Sequence, residues 1–148
     1  MPIAGHCLCG DIAFEIAGQP LWVVHCHCES CRRQTSSAFA TFVGLKAEQL
    51  RFLHGTPAAY VSSPGVRRSF CPSCGSPISY EGASFPGEVH IHAGTLADPG
   101  AISPQGHVHV GEQLPWAEVL DDLPRYEGAG AHGAVPMRRG ATSVRGPP

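Results

Sequence analysis

Apolar and polar residues alternate along this chain over short runs, a period of two that belongs to half-buried β-strands. Over residues 11–16, Ile12, Phe14 and Ile16 alternate with Ala13 and Glu15; over 49–53, Leu50 and Phe52 alternate with Gln49 and Arg51. Segments 21–25, 39–45, 78–80 and 89–93 read as further strands. Residues 60–62 and 66–70 are placed to pair around Ser63-Pro64-Gly65, where proline presets φ and glycine tolerates the turn. The one helical signature is short, from about Ser30 to Ser36. The pattern therefore predicts a mainly β chain of short antiparallel sheets with one short helix. Beyond Glu127 the chain turns to Gly, Pro and Ala with few large apolar residues. The expected organisation is a folded domain over 1–128 and a disordered tail over 129–148, which cannot bury enough surface to offset its ordering entropy.

Composition narrows the function classes. The 148 residues carry 10 basic and 12 acidic side chains, a net charge of −2. That balance offers no bulk attraction to nucleic acid or to an anionic membrane, and neither is expected as a partner. Arg67-Arg68 and Arg138-Arg139 are isolated pairs. No run approaches the about 20 apolar residues that span a bilayer, and no basic segment followed by an apolar run marks an export signal. The expected location is the cytoplasm. The sequence is compatible with a homo-oligomer but does not fix the subunit number.

Seven cysteines change the picture. In a reducing compartment an odd number without an export signal argues against disulfides. They fall in three groups, Cys7-Leu8-Cys9, Cys26-His27-Cys28-Glu29-Ser30-Cys31 and Cys71-Pro72-Ser73-Cys74. Closely spaced thiolates are how proteins supply a tetrahedral zinc ion. Gly10 follows Cys9 as Gly75 follows Cys74. A glycine there permits positive φ, so the chain can fold back and aim amide hydrogens at sulfur. The alike pairs together make a closed four-thiolate site. The middle group has Arg32 where the others have glycine, and it offers three ligands, which matches a zinc with a vacant fourth position. The competing reading is that a histidine closes it: His27 within the motif, or His25, His90, His92, His107 or His109 from strands. His90/His92 and His107/His109 are spaced i, i+2 and are expected to face solvent or to be hydrogen-bonded rather than to ligate. Asp121 and Asp122 read as a solvated turn, His54 as a turn residue, and Trp22 and Trp116 as core or rim packing.

These motifs resemble the glutathione-dependent formaldehyde-activating enzyme family, which includes the centromere protein V domain. The resemblance rests on Gly5-His6-Cys7-Leu8-Cys9-Gly10, on the segment from Cys26 to Arg33, and on Arg68-Ser69-Phe70-Cys71-Pro72-Ser73-Cys74-Gly75-Ser76. Gly94-Thr95-Leu96-Ala97-Asp98-Pro99, His107-Val108-His109-Val110, Pro115-Trp116 and Leu123-Pro124 add to it, so that it covers about residues 3 to 128. It implies an Mss4-like zinc fold with two zinc ions per chain. Cys7, Cys9, Cys71 and Cys74 would hold a structural zinc, and Cys26, Cys28 and Cys31 a catalytic one. The implied activity is that of a carbon–sulfur lyase joining glutathione, or another thiol, to formaldehyde or a related aldehyde. Arg32 and Arg33 are candidates for a glutathione carboxylate, and Gln34 and Ser36 for a peptide group, against the alternative that they are solvated helix-surface residues. The rival function is a zinc-stabilised thiol-binding or protein-interaction module without catalysis.

Overall fold

The computed structural model describes residues 1–130, so the segment 131–148, which holds most of the expected tail, lies outside the described residues. Ten strands and one α-helix follow in order: β1 (Ile3–His6), β2 (Ala13–Ile16), β3 (Trp22–Cys26), α1 (Glu29–Thr35), β4 (Ala40–Lys46), β5 (Leu50–His54), β6 (Ala58–Ser63), β7 (Val66–Phe70), β8 (Pro77–Gly82), β9 (Glu88–His92) and β10 (His107–Val108). The chain is thus mainly β with one short helix, as its alternation requires. Among the described residues no helix is long and apolar enough to cross a membrane. Two compact units emerge: Met1–Trp22 with Phe42–Ser103, and Val23–Thr41 with the described residues from Pro104.

In the first unit, β1, β2 and β5 form an antiparallel sheet in that order. The alternation of β2 buries Ile12, Phe14 and Ile16 almost completely. Phe14 lies so close over Gly5 that an added Cβ would sit 2.2 Å from its ring, which explains a glycine inside β1. The alternation in β5 gives a strand but not a buried face: Phe52 meets the edge of Phe14 at 6.2 Å yet stays 38% exposed. Strands β4, β9, β8, β7 and β6 follow one another as antiparallel neighbours, with β6 and β7 joined through the Pro64-Gly65 turn. Val43, Leu45, Ile78 and Ile91 are inaccessible to solvent. Trp22 packs its indole onto Gly44, leaving no room for a side chain there.

The same unit corrects the expectation at His92, which neither faces solvent nor, at Nε2, is hydrogen-bonded; His90 is buried with it but hydrogen-bonded, as expected. His90 stacks on Tyr80 at 5.3 Å, meets Trp22 at 4.5 Å and bonds Glu88 through Nε2 at 3.1 Å. His92 packs on Phe42 at 4.5 Å, and its Nε2 has no hydrogen-bond partner. Burial, helped by the charge of Arg68, holds the His92 imidazolium down to about 4. Aromatic rings packed around an uncharged imidazole make it an acceptable core residue.

In the second unit, β3 and β10 pair in parallel, with His107 opposite His25 and Val108 opposite Cys26. Bonds from the His25 amide to Gly106 O and from the His27 amide to Val108 O continue the pairing at both ends. Helix α1 starts one residue earlier than its sequence signature and ends at Ser36 in the left-handed conformation, φ 53°. Its N-cap is Cys28, whose sulfur accepts the Cys31 amide at 3.2 Å. The helix start and the cysteine motif are therefore the same structure.

Candidate metal centres

The loop after β1 carries Cys7 and Cys9, and the turn between β7 and β8 carries Cys71 and Cys74. Their four sulfurs all lie within 4.8 Å of one another. Gly10 and Gly75 take φ of 85° and 79°, so both turns fold back as the sequence predicts. The Ile12 amide then points at Cys7 Sγ at 3.2 Å, and amides of Asp11 and Ser76 reach Cys9 and Cys74. Ser76 ties the loops together, its hydroxyl accepting from the Leu8 amide at 2.9 Å and lying 3.2 Å from Cys74 Sγ. Cys7 and Cys71 are buried. Without a cation such a cluster cannot ionise uniformly. The Ser76 hydroxyl and amide pull Cys74 down to about 5. Cys9 gains from the Asp11 amide, but burial and its thiol neighbours push it up to about 12.

Cys26 at the end of β3, with Cys28 and Cys31 at the start of α1, forms a second cluster, again with all sulfurs within 4.8 Å. Cys26 and Cys31 are buried and Cys28 is half-buried. Among the described residues no histidine, carboxylate or further cysteine joins the three at that separation, so closure by histidine finds no support in this geometry. Hydrogen bonds with Cys26 and Cys31 drive Cys28 down to about 2, while those with Cys28 and Cys31, together with burial, push Cys26 up. Both clusters offer only sulfur at tetrahedral-site separations, and each stacks potential negative charge that a divalent cation would neutralise. The residues present fit a zinc-type ion at either place.

Behind the three-sulfur cluster runs a hydrogen-bonded chain. His27, inaccessible between Cys26 and Cys28, bonds through Nε2 to His107 Nδ1 at 2.9 Å, and His107 Nε2 reaches Asp121 Oδ2 at 2.9 Å. A carboxylate only accepts, so His107 donates from Nε2 and accepts at Nδ1, and His27 donates from Nε2. His27 Nδ1 is left as a buried lone pair with no partner. Burial, with the charges of His107, His25 and nearby arginines, lowers His27 to about 4 and keeps it neutral. Asp121 is thus no solvated turn; it also takes a bond from Arg125 at 3.3 Å. His25, His107 and Asp121 come within 4.8 Å as well. The 2.9 Å His107–Asp121 bond and the adjacent guanidinium make that set a hydrogen-bonded network, and His25 Nδ1 is engaged by Thr41 at 2.8 Å.

The helix residues divide by partner. Arg32 is committed to structure, with Nε donating to His27 O at 3.3 Å and an Nη to Glu112 O at 3.2 Å. Arg33 makes an exposed pair with Glu29 at 3.0 Å, and Ser36 is exposed at the helix end. Gln34 is half-buried. His54 is not a turn residue but the last residue of β5, its ring bonding Asp11 O at 2.8 Å; Trp22 is half-buried and packs on Gly44, and Trp116 is 74% exposed. The His27–His107–Asp121 chain had no sequence signal beyond three polar residues far apart.

A family model described as glutathione-dependent formaldehyde-activating enzyme matches residues 2–112. A crystal structure of a Rhodobacter sphaeroides protein, a structural-genomics target, is similar with a TM-score of 0.56 at 23% identity, over 69% of this chain and 92% of that one. No curated protein matches the chain.

Proposed function

Since the chain belongs to the glutathione-dependent formaldehyde-activating enzyme family, we propose that it is a zinc-dependent carbon–sulfur lyase acting on a thiol, glutathione, and on formaldehyde or a related aldehyde. The observation that carries this is unequal ligand supply: four sulfurs at one cluster, three at the other with no fourth ligand in reach among the described residues. Cys7, Cys9, Cys71 and Cys74 hold a structural zinc, and Cys26, Cys28 and Cys31 a zinc with one position for substrate. A zinc ion bound there supplies a positive charge that keeps a thiol deprotonated near neutral pH. The chain's own residues do the rest. Cys26 and Cys31 sit buried and fixed by β3 and α1, while the half-buried Cys28 marks the side open to substrate. Arg32 clamps the cysteine loop to the turn at Glu112 and keeps both in place. Arg33, held only by a surface pair worth about 0.5 kcal/mol, is the better receiver of a glutathione carboxylate. Addition of a thiol to an aldehyde has a low intrinsic barrier, so the expected gain is from bringing the two together.

The test is ligand competition on protein loaded with cobalt(II). Glutathione should change the sulfur-to-cobalt absorption of one of the two sites and leave the other untouched. A spectrum indifferent to excess glutathione would remove the reading.

A further inference from the structure

We infer that the loop over residues 114–120 is a docking surface for another protein, taking a segment that sets arginine or lysine beside large apolar side chains. The stretch reads Leu114-Pro115-Trp116-Ala117-Glu118-Val119-Leu120, six apolar residues and one carboxylate. A run of that composition belongs inside a domain, yet none of the seven is buried, and Trp116 and Leu120 stay 74% and 75% exposed. The exposure is held in place. The Ala117 amide donates to Leu114 O at 3.1 Å, closing a turn with Pro115 where its fixed φ is favoured and Trp116 at the tip. Gln113 Nε2 bonds Ala117 O across the same turn at 3.1 Å. Farther on, the buried guanidinium of Arg125 donates to the carbonyls of Val119, Asp121 and Leu123. A guanidinium is costly to bury, and here its bonds go to loop backbone. Apolar side chains presented on backbone already fixed lose little entropy when a partner covers them. None of these loop residues belongs to either sulfur cluster.

Charge selects the occupant. Between residues 112 and 127 stand Glu112, Glu118, Asp121, Asp122 and Glu127 against one cation, Arg125, which is buried and bonded to Asp121 at 3.3 Å. Glu118 is exposed, so the apolar loop carries its own carboxylate and is flanked along the chain by four more. Carboxylates repel an anionic lipid surface and a nucleic-acid backbone alike. A second copy docked by the same face around a two-fold axis would bring identical carboxylates together. A protein segment with arginine or lysine next to apolar residues meets both demands. Its cations answer Glu118, an arginine also finds the face of the Trp116 indole, and its apolar side chains cover Trp116 and Leu120. Tryptophan is the side-chain type that most often dominates binding energy at such a patch.

The test uses the full metal-loaded chain and a fluorescent synthetic peptide in which leucine alternates with arginine, read by anisotropy. Serine–arginine and leucine–glutamate peptides of the same length are run beside it. Wild type should bind the leucine–arginine peptide more tightly than the serine–arginine one and leave the leucine–glutamate one free, and added salt should weaken binding. Trp116→Ala should weaken it at least about tenfold, and Glu118→Lys should weaken it and flatten the salt dependence. Both variants should keep the wild-type metal content and thermal midpoint, since neither side chain is buried. A wild type indifferent to the leucine–arginine peptide would overturn the inference, as would equal affinity for the serine–arginine peptide or equal binding by Trp116→Ala. So would a wild type that sediments as a dimer beside a monomeric Trp116→Ala, which would make a second copy the occupant. Peptide binding that appears only when Arg138→Ser and Arg139→Ser are made together would assign the face to the chain's own residues 131–148, and would equally overturn it.

Discussion

Single positions carry different physical demands even when the residue type is the same. Gly75 has open space where a side chain would be, but φ of 79°; Gly44 has no such strain, but an indole 2.1 Å from its ideal Cβ. Gly75→Ala should therefore cost only the left-handed backbone term, about 1–2 kcal/mol, and shift the thermal midpoint by a few degrees with metal retained. Gly44→Ala must displace Trp22 and should cost more in the same melting experiment. His92 gives a pH signature. Its native imidazole is held to about 4 against an ordinary 6.5, so below pH 6.5 the unfolded chain binds a proton that the folded chain refuses. The His92 contribution is intact above 6.5 and is lost as pH falls toward 4, at up to about 1.4 kcal/mol per pH unit. Urea unfolding of His92→Phe across that window should show a shallower acid loss than wild type. An identical slope would mean that the ring is protonated in the folded state.

At the scale of elements, the short parallel pair β3–β10 does more than its two residue pairs suggest. It brings His107 against His27, and through His107 it connects Asp121 to the peptide between two sulfurs. Chains of this kind orient metal-binding segments, and breaking one typically lowers metal affinity about 10–100-fold. Asp121→Ala should weaken metal at the three-sulfur cluster by that range in chelator competition, while the four-sulfur cluster keeps its affinity. Equal loss at both would indicate general destabilisation. Helix α1 contributes through its beginning: the Cys28 sulfur caps it and faces the other two cysteines, so helix formation and cluster geometry are one event.

At the scale of the whole molecule, the two clusters have unequal structural weight. The four-sulfur cluster joins segments 62 residues apart within one unit and closes that loop in the folded state. The three-sulfur cluster draws on one stretch of six residues, which constrains little beyond itself. Cys74→Ser should abolish cooperative folding, whereas Cys28→Ser should stay folded and lose one metal equivalent. Circular dichroism with metal analysis of the two variants checks this, and a folded, fully metallated Cys74→Ser would refute it.

What the sequence determined is local. Cysteines separated by one or two residues, each pair followed by a glycine, specify a turn with positive φ wherever they occur, and the turns at Gly10 and Gly75 formed as that chemistry requires. Strict alternation fixed β2 and its buried Ile12, Phe14 and Ile16, and Ser63-Pro64-Gly65 fixed the β6–β7 turn, because a period of two and a turn both act over a few neighbours. The two-residue β10 is too short to show a period, and Gly5 blurs the pattern of β1. Tertiary structure alone decided the state of the histidines. His27 and His107 are 80 residues apart, and their bond exists only because β3 and β10 pair in one register. Whether His90, His92 and His107 met water or aromatic rings, and whether Arg32 met a carboxylate or two backbone carbonyls, depend on what packs against them, which no spacing along the chain records.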